Sequence, residues 1–344
     1  MPKDTPKKSP STAKTPARRS PRPKASAART RTKRTETAEP VPAVPTNGEK
    51  PEAQIDIRGL TKSFGTQVIW EDITVQIPKA KITVMLGPSG TGKSVLLKHL
   101  VGLLKPDRGE IWIDGKDLPT LPDKELYMVR RKFGVLFQDG ALFGSMNVYD
   151  NVAFPLREHT KKSEKDIRSI VAEKLEMVGL VGAEEKLPGE ISGGMKKRAG
   201  LARALVLDPD ILLFDEPDSG LDPVRTAFLC ELIRDLNSKL ETTMMVVTHD
   251  IAAARRISDY IGMIAMRHLV QFGTAAEMFS SDQPEVRQFL AGDTVGPIGM
   301  AEEKDADITA EITSTSGMTA AETEEAERAA GATDEDLLKG WKED

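Results

Sequence analysis

Short apolar runs alternate with longer amphipathic segments through the middle of the chain. Residues 81–86 and 211–214 are mostly aliphatic, which is typical of strands that are buried on both faces of a parallel sheet. Apolar residues recur at helical spacing over 165–178, 196–207 and 224–240. Strands that alternate with helices predict a mostly parallel α/β sheet.

Further elements extend this prediction along the chain. Residues 94–104 have the spacing of a helix. The pattern over about 139–205 is almost entirely helical, which predicts a helical subdomain inserted between strands. Additional short strands are predicted at 55–57, 60–65, 73–77, 111–113, 133–137 and 243–247.

Charge is distributed unevenly along the 344 residues. The whole chain has a net charge of -5, but residues 1–50 carry 13 Lys and Arg against 4 Asp and Glu, and residues 301–344 carry 4 against 14. Both segments have few large apolar side chains, so they cannot bury enough surface to offset their conformational entropy. We therefore predict a disordered basic arm over 1–52, a folded domain over 53–292 and an acidic, mostly disordered tail over 293–344.

Composition excludes several classes of protein. A single cysteine, Cys230, excludes a disulfide framework and a zinc site built from several cysteines, and it fits a reducing compartment. No apolar run approaches the roughly 18–20 residues that a membrane-spanning helix needs. The basic N-terminus has no apolar segment behind it that would make it a secretory signal. We therefore expect a cytoplasmic chain without a transmembrane segment.

The first chemical motif follows the strand at 81–86, where a parallel sheet usually binds its ligand. It matches G-x-x-x-x-G-K-[ST] at every fixed position. Its glycines let the backbone wrap closely, so that N–H groups and the next helix N-terminus point at phosphate oxygens. The lysine supplies positive charge to the β- and γ-phosphates, and the last serine is a Mg²⁺ ligand. The eight residues are Gly87, Pro88, Ser89, Gly90, Thr91, Gly92, Lys93 and Ser94.

A second motif ends the strand at 211–214 with two acidic residues. Asp215 would lie beside the phosphate-binding loop and hold Mg²⁺ directly or through water. Glu216 could orient or deprotonate the attacking water. An apolar strand that ends in two acids is common, so this motif gains its meaning from the loop that accompanies it.

Five further features resemble ATP-binding cassette proteins. Residues 190–198 read Glu-Ile-Ser-Gly-Gly-Met-Lys-Lys-Arg and resemble the family signature. Residues 219–222, Ser-Gly-Leu-Asp, resemble the D-loop. Gln138 resembles the Q-loop glutamine, and His249 resembles the switch histidine. Phe64 takes the position of the aromatic residue that stacks on adenine.

The cassette resemblance covers residues 53–292 and implies a fold and an assembly. The fold would be a P-loop NTPase with a RecA-like parallel-sheet core, an antiparallel β subdomain and an inserted α-helical subdomain. Two copies would dimerise head to tail, with ATP between the phosphate-binding loop of one and the signature of the other. Met195 departs from the common glutamine of the signature, so one side-chain hydrogen bond is lost there.

The resemblance also assigns roles to individual residues. The catalytic residues would be Glu216 as the base, His249 at the γ-phosphate and Lys93. Mg²⁺ would be held by Ser94, Gln138 and Asp215. ATP would be bound by Phe64, residues 87–94 and Gln138 of one copy, and by Ser192, Gly193, Gly194 and Asp222 of the other. The remaining histidines, His99, His159 and His268, are expected to be structural or on the surface.

Three stretches resemble the ATPase subunits of the Mce/Mla-type lipid importers. This resemblance implies a homodimer on the cytoplasmic face of the inner membrane that drives an integral-membrane permease pair. The region beside Gln138 would meet the cytoplasmic helices of that permease. The stretches are 137–143 continuing to 151–157, 194–198, and 286–292 with 296–298.

Other cassette proteins are alternatives. A translation-associated protein usually carries two cassettes in one chain, whereas this chain has one phosphate-binding loop. A DNA-associated protein splits its cassette with a long coiled coil, but no sustained heptads occur between Gln138 and Ile191. An exporter would use the same chemistry, and only the stretches after the Q-loop and near the C-terminus disfavour it.

The charged end segments allow several interpretations. The arm over 1–50 could be a solvated tail, or it could contact the anionic inner leaflet, where each basic residue contributes about 1 kcal/mol. Specific nucleic-acid binding is not expected, because no aromatic residues interleave the charges. In the acidic tail, residues 334–341 could form one short helical turn.

Overall fold

The computed structural model describes residues 52–299, so nearly all of the predicted basic arm and most of the predicted acidic tail lie outside the described residues. Within them, the predicted mixed α/β fold is confirmed. The ten strands of this part are β1 Ala53–Phe64, β2 Gln67–Pro78, β3 Ile82–Leu86, β4 Arg108–Ile113, β5 Lys116–Asp117, β6 Phe133–Leu136, β7 Ile211–Asp215, β8 Thr243–Val247, β9 Tyr260–Ala265 and β10 His268–Thr274.

The larger sheet has six strands in the order β10-β9-β3-β8-β7-β6. All neighbours are parallel except β9 and β10, which form an antiparallel edge pair. Every residue of β3 and β8 is buried, because these two strands lie inside the sheet and both of their faces are covered. This burial explains why both strands appear in the sequence as continuous apolar runs.

The smaller sheet is antiparallel, in the order β2-β1-β4-β5. Its inward side chains, such as Ile57 and Ile73, share one core with Met85 and Met245 of the larger sheet. Leu96, from the helix after the phosphate-binding loop, belongs to the same core. The helix and its loop are therefore held between the two sheets.

Helices cover the larger sheet on its other face. A second core joins them to Val84, Phe214 and Val246 of that sheet. The predicted helical insertion contains three of these helices, of which the third begins at the signature. The nine α-helices of the described part are α1 Lys93–Leu100, α2 Asp123–Arg130, α3 Val148–His159, α4 Glu164–Met177, α5 Gly193–Leu205, α6 Pro223–Leu240, α7 Ile251–Ile257, α8 Ala275–Phe279 and α9 Pro284–Ala291. No helix within residues 52–299 is long and apolar enough to span a membrane.

Several predicted boundaries were wrong. The strand predicted at 73–77 is β2, which begins at Gln67, and the strand predicted at 111–113 is β4, which begins at Arg108. The helix predicted over 94–104 ends at Leu100, because Gly102 adopts a left-handed φ of 69° and its N–H turns back to the His99 carbonyl. The strands predicted at 55–57 and 60–65 are one strand, β1, with register shifts around Gly59 at a φ of 61°. The edge pair β9 and β10 was not predicted.

Candidate functional site

Four parallel strands of the larger sheet end at the same edge, and the predicted site residues follow them. β3 leads into Gly87, β7 ends at Asp215 with Glu216 next, β8 leads to His249, and β6 leads to Gln138. The carboxyl ends of parallel strands lie together, so residues far apart in sequence meet at one crevice.

Two glycines of the phosphate-binding loop, Gly87 and Gly92, stand where no side chain fits. At Gly87, with a φ of 154°, an added Cβ would lie 2.1 Å from the carbonyl oxygen of Ile264. At Gly92, with a φ of 83°, it would lie 2.4 Å from Cγ2 of Ile69. The loop backbone therefore rests directly on its neighbours.

Lys93 is 4% exposed, and its ammonium group is held by the loop itself. Its Nζ donates to the carbonyl oxygens of Gly87 at 2.9 Å and Pro88 at 2.6 Å. Burial lowers the pKa of Lys93, while the charges of Glu216 and Asp215 raise it. The loop thus holds a positive charge that phosphate oxygens would neutralise better than carbonyl oxygens do.

Ser94 and Asp215 form the second contact of the crevice. The Ser94 hydroxyl donates to Oδ1 of Asp215 at 2.7 Å. Burial raises the pKa of Asp215, and the hydrogen bond from Ser94 opposes that rise. Oγ of Ser94 and Oδ1 of Asp215 are hard ligands that lie side by side. Such a pair of oxygens suits a divalent cation such as Mg²⁺.

The backbone of Glu216 has an unusual conformation that its neighbours fix. Its φ of 43° is left-handed, which costs a residue other than glycine about 1–3 kcal/mol. Its N–H donates to the Val247 carbonyl at 2.9 Å, and its carbonyl accepts from the Ser219 N–H at 3.1 Å. The carboxylate Oε1 lies 3.4 Å from Nδ1 of His249, so the predicted base and switch histidine are brought together.

Lys197 was not predicted as a site residue. It lies on α5, is 4% exposed, and its Nζ reaches the carbonyl oxygen of Glu216 at 3.4 Å. Burial lowers the pKa of Lys197, and the negative charges of Asp218, Asp139 and Glu216 raise it. The sequence offered a run of basic residues here, which is usually a solvated face, so only the packing reveals the contact.

Trp70 was also missed. It is fully buried on β2, and its indole N–H donates to the carbonyl oxygen of Thr91 at 2.9 Å. The same indole lies below Gly92, where an added Cβ would be 2.9 Å from the indole nitrogen. The strand predicted at 73–77 begins three residues after Trp70, so the sequence pattern placed Trp70 neither in the core nor against the phosphate-binding loop.

The signature forms the start of α5, as predicted. Ser192 is the N-cap residue, and its Oγ accepts the N–H of Met195 at 3.3 Å. Gly193 and Gly194 are the first two residues of the helix. The helix N-terminus therefore presents N–H groups and a positive dipole end.

Asp222 lies beside the signature in the same chain. It caps α6 by accepting the N–H groups of Val224 and Arg225, and it pairs with the Arg225 guanidinium at 3.1 Å. An added Cβ at Gly194 would lie 3.7 Å from Leu221 and 3.9 Å from Arg225. The residues predicted to act on the other copy's nucleotide thus form a cluster of their own.

The positions of Gln138 and Phe64 leave their predicted roles open. The Gln138 amide donates to the hydroxyl of Ser219 at 3.1 Å, and it makes no hydrogen bond with Ser94 or Asp215. Phe64, at the end of β1, is 45% exposed, with the Lys62 ammonium 5.2 Å from its ring centre. An exposed ring is available for stacking, and its role stays a prediction.

Known proteins resemble this chain in sequence and in fold. Residues 70–219 match the ABC transporter family. A protein of Mycobacterium leprae, named probable ribonucleotide transport ATP-binding protein mkl, is 63% identical over 257 residues, which are 75% of this chain and 74% of that protein. This chain belongs to the ABC transporter ATPase family. It is the ATP-binding subunit of an ABC transporter, and its domain is of an ATP-hydrolysing type.

A further relative and a solved structure are also similar to this chain. The Escherichia coli K12 intermembrane phospholipid transport system ATP-binding protein MlaF is 45% identical over 244 residues, which are 71% of this chain and 91% of MlaF. The resemblance to Mce/Mla-type ATPases is thereby confirmed. The dimeric post-hydrolysis structure of the ATP-binding cassette MJ0796, bound to ADP and Pi, matches with a TM-score of 0.59 and 30% identity over 64% of this chain and 98% of that one.

The ATP and Mg²⁺ of an ABC ATPase fit the residues present. The ammonium of Lys93 lies inside a glycine cradle, and the oxygens of Ser94 and Asp215 lie side by side. No group of three or more His, Cys, Asp or Glu within residues 52–299 could hold a metal ion. A Mg²⁺ ion at Ser94 and Asp215 would take its other ligands from phosphate, water and the predicted ligand Gln138.

Proposed function

We propose that this chain energises lipid import across the cell envelope, as a homodimer bound to an integral-membrane Mce-type permease pair. The homodimer would lie on the cytoplasmic face of the inner membrane, and the arm over residues 1–50 could contact anionic lipid there. The identity to MlaF over 91% of that protein carries the lipid part of the proposal. The crevice at the sheet edge supports the hydrolytic part.

The side chains of the crevice supply the groups that hydrolysis requires. The Glu216 carboxylate accepts the proton of the attacking water, and His249 beside it contacts the γ-phosphate. Lys93 offsets the negative charge of the phosphates. Ser94 and Asp215, with Gln138 as the third predicted ligand, would hold Mg²⁺, which would neutralise phosphate charge. The backbone hydrogen bonds of Glu216 fix the position from which its carboxylate extends to His249.

Dimerisation completes each site in this proposal. The cluster of Ser192, Gly193, Gly194 and Asp222 has N–H donors that the crevice of its own chain does not use. A second copy placed head to tail would bring these donors to the γ-phosphate. The likeness to a dimeric cassette bound to ADP and Pi supports this arrangement.

We further propose that the permease docks in a groove beside the Q-loop. This Q-loop groove has a volume of about 300 Å³ and lies between β6, α2, α3 and the end of α5. Hydrolysis at Glu216 could reach it through Gln138, which contacts Ser219 three residues after the base. Its lining includes apolar and basic side chains, among them Leu103, Arg130, Arg131, Phe143, Phe154 and Arg203.

Ribonucleotide transport is a second candidate, because that cargo is in the name of the M. leprae relative at 63% identity. A lipid transporter and a ribonucleotide transporter would differ in the permease rather than in this subunit. An ATPase that touches only nucleotide and permease has no contact with the cargo. The experiment must therefore identify the membrane partner and what it carries.

The full chain with Glu216→Gln, held with ATP, is the bait for a pull-down from detergent-solubilised membranes. Lys93→Ala is the control bait, since it should fail to hold ATP. Recovery of a permease pair with Mce-type proteins and phospholipid, by the first bait alone, would support lipid transport. Recovery of a permease with bound ribonucleotide would favour the second candidate. Recovery of ribosomal or DNA-associated proteins without an integral membrane partner would overturn transport.

A further inference from the structure

The Q-loop groove combines an apolar floor with one sign of charge. Phe143 and Phe154 pack with ring centres 5.1 Å apart, and Leu103 beside them is 39% exposed. Three arginines line the groove, whereas no aspartate or glutamate does so among the residues of the described part that form it. Such a surface suits a short helix with acidic residues beside large apolar ones.

Two of these arginines form no salt bridge within residues 52–299, and Asp123, the carboxylate whose charge acts on Arg130, does not line the groove. Arg130 donates to the carbonyl oxygens of Val101 at 3.0 Å and Gly102 at 2.9 Å, and it forms no ion pair there. Arg131 is exposed and likewise forms no ion pair in the described part. The hydrogen bonds of Arg130 fix its guanidinium without neutralising it, so the groove keeps a net positive charge.

The C-terminal end of the same chain has the complementary pattern. Residues 334–341 read Asp-Glu-Asp-Leu-Leu-Lys-Gly-Trp. Thr333 followed by Asp336 forms an N-cap pattern of the type [ST]-x-x-[DE], which favours a helix that begins at residue 334. Leu338 and Trp341 are three positions apart and would share one face of that helix, with Leu337 next to it.

The tail is long enough to reach the groove of its own domain. Gln288 on α9 holds the chain at Ile298, by accepting its N–H at 2.8 Å and donating to its carbonyl at 2.9 Å. α9 contacts β10, at the sheet edge opposite β6, which is about 24 Å away across five strand spacings. The 34 residues from 300 to 333 would span about 30 Å as a flexible coil.

We propose that residues 334–341 bind the Q-loop groove of their own chain. The leucines and Trp341 cover the apolar floor, and the three acidic residues lie against Arg130, Arg131 and Arg203. A tether of this length gives an effective concentration of about a millimolar, so a weak contact is enough to fill the groove. The basic arm could attract the same acids, but it offers no apolar surface to the leucines and Trp341.

One consequence rests on the proposed function. If the permease docks in the Q-loop groove, the tail competes with it and leaves the groove when the permease binds. A subunit without its permease would then cover an exposed apolar surface. Binding of the tail itself does not depend on the permease or on ATP hydrolysis, so the purified full chain tests it without either.

Cysteine pairs in the full chain test the contact. One variant carries Leu103→Cys with Leu338→Cys, and the control carries Val224→Cys with Leu338→Cys. Val224 is 64% exposed and does not line the groove, and the native Cys230 is buried in both variants. Mild oxidation, followed by non-reducing gels and peptide mass spectrometry, measures the disulfides.

The groove pair should form an intramolecular disulfide at least fivefold more completely than the control pair. Adding Arg131→Glu to the groove pair should lower that yield, because it places an acid against the acidic helix. Equal yields in the groove and control pairs would overturn the proposal. A disulfide mainly between two chains would also overturn it, since the groove would then be filled by a second copy.

A labelled peptide of residues 331–344 gives an independent measurement by fluorescence anisotropy. The full chain with Leu337→Ser, Leu338→Ser and Trp341→Ser should bind this peptide at least fivefold more tightly than the wild-type chain, whose own tail fills the groove. A scrambled peptide of the same composition is the control. Equal affinity of the two chains for the peptide, or equal binding of the scrambled peptide, would contradict the proposal.

Discussion

Trp70→Phe tests whether a buried side chain on β2 holds the phosphate-binding loop. The substitution removes the indole N–H, which donates to the Thr91 carbonyl at 2.9 Å, and keeps an aromatic ring in the core. Trp112→Phe is a matched control on β4. Its indole N–H donates to the exposed carboxylate of Glu110 at 2.8 Å, away from the loop.

The two substitutions should differ several-fold in cost. A part-buried carbonyl that loses its donor costs about 1–3 kcal/mol. The smaller ring adds about 1 kcal/mol of lost packing, because Trp70 is fully buried. Trp70→Phe should therefore lower the free energy of unfolding by about 2–4 kcal/mol. Trp112→Phe should cost only about 0.5–1.5 kcal/mol, because Trp112 is half-buried and its hydrogen bond to Glu110 is exposed.

Nucleotide binding should separate the variants further. The Thr91 carbonyl belongs to the loop, so a loosened loop must be ordered again when ATP binds. If about 1.4 kcal/mol of the lost interaction is needed for that ordering, the Kd for ATP rises about tenfold. Chemical unfolding followed by circular dichroism gives the stability, and calorimetry gives the Kd. Both measurements avoid tryptophan fluorescence, which the substitutions would change.

Equal destabilisation by Trp70→Phe and Trp112→Phe would refute the reasoning about the buried hydrogen bond. A large loss of stability with an unchanged Kd for ATP would refute the link to the loop, because Trp70 would then be a core residue only.

Three further predictions concern the same crevice. Gly87→Ala should abolish ATP binding in calorimetry because its Cβ would enter a backbone carbonyl, whereas Gly90→Ala meets open space and should cost only about 1–2 kcal/mol of strain. Lys197→Met should lower kcat about five- to tenfold with KM unchanged, because the backbone carbonyl of Glu216, the proposed base, loses its contact with the Lys197 ammonium. Lys196→Met is the control, and an equal loss of kcat in that variant would contradict the assignment. Burial raises the pKa of Asp218, so its ionised form destabilises the fold above that pKa. Asp218→Asn should therefore raise the free energy of unfolding at neutral pH, with a gain that shrinks as the pH falls; a gain independent of pH would contradict this origin.

Much of the fold follows from local patterns that the sequence contains. The strands β3, β7 and β8 are continuous apolar runs, and the helices α4, α5 and α6 were predicted to within a few residues. In the edge pair, β10 was missed because it is only half buried and its pattern is weak, whereas β9 is buried at five of its six positions and its apolar run could have been predicted. The loop glycines and the capping serine of α5 were predicted because a fixed spacing determines their local geometry.

The sequence by itself determined which chemistry this protein has. A glycine loop with its lysine and serine, and a strand that ends in two acids, are local arrangements whose geometry depends on a few adjacent residues. The tertiary structure alone decided which distant groups support that chemistry. Trp70 and Lys197 reach the loop and the Glu216 carbonyl across 21 and 19 positions of sequence, through packing between separate elements. Such contacts depend on how sheets and helices stack, and no spacing along the chain specifies that.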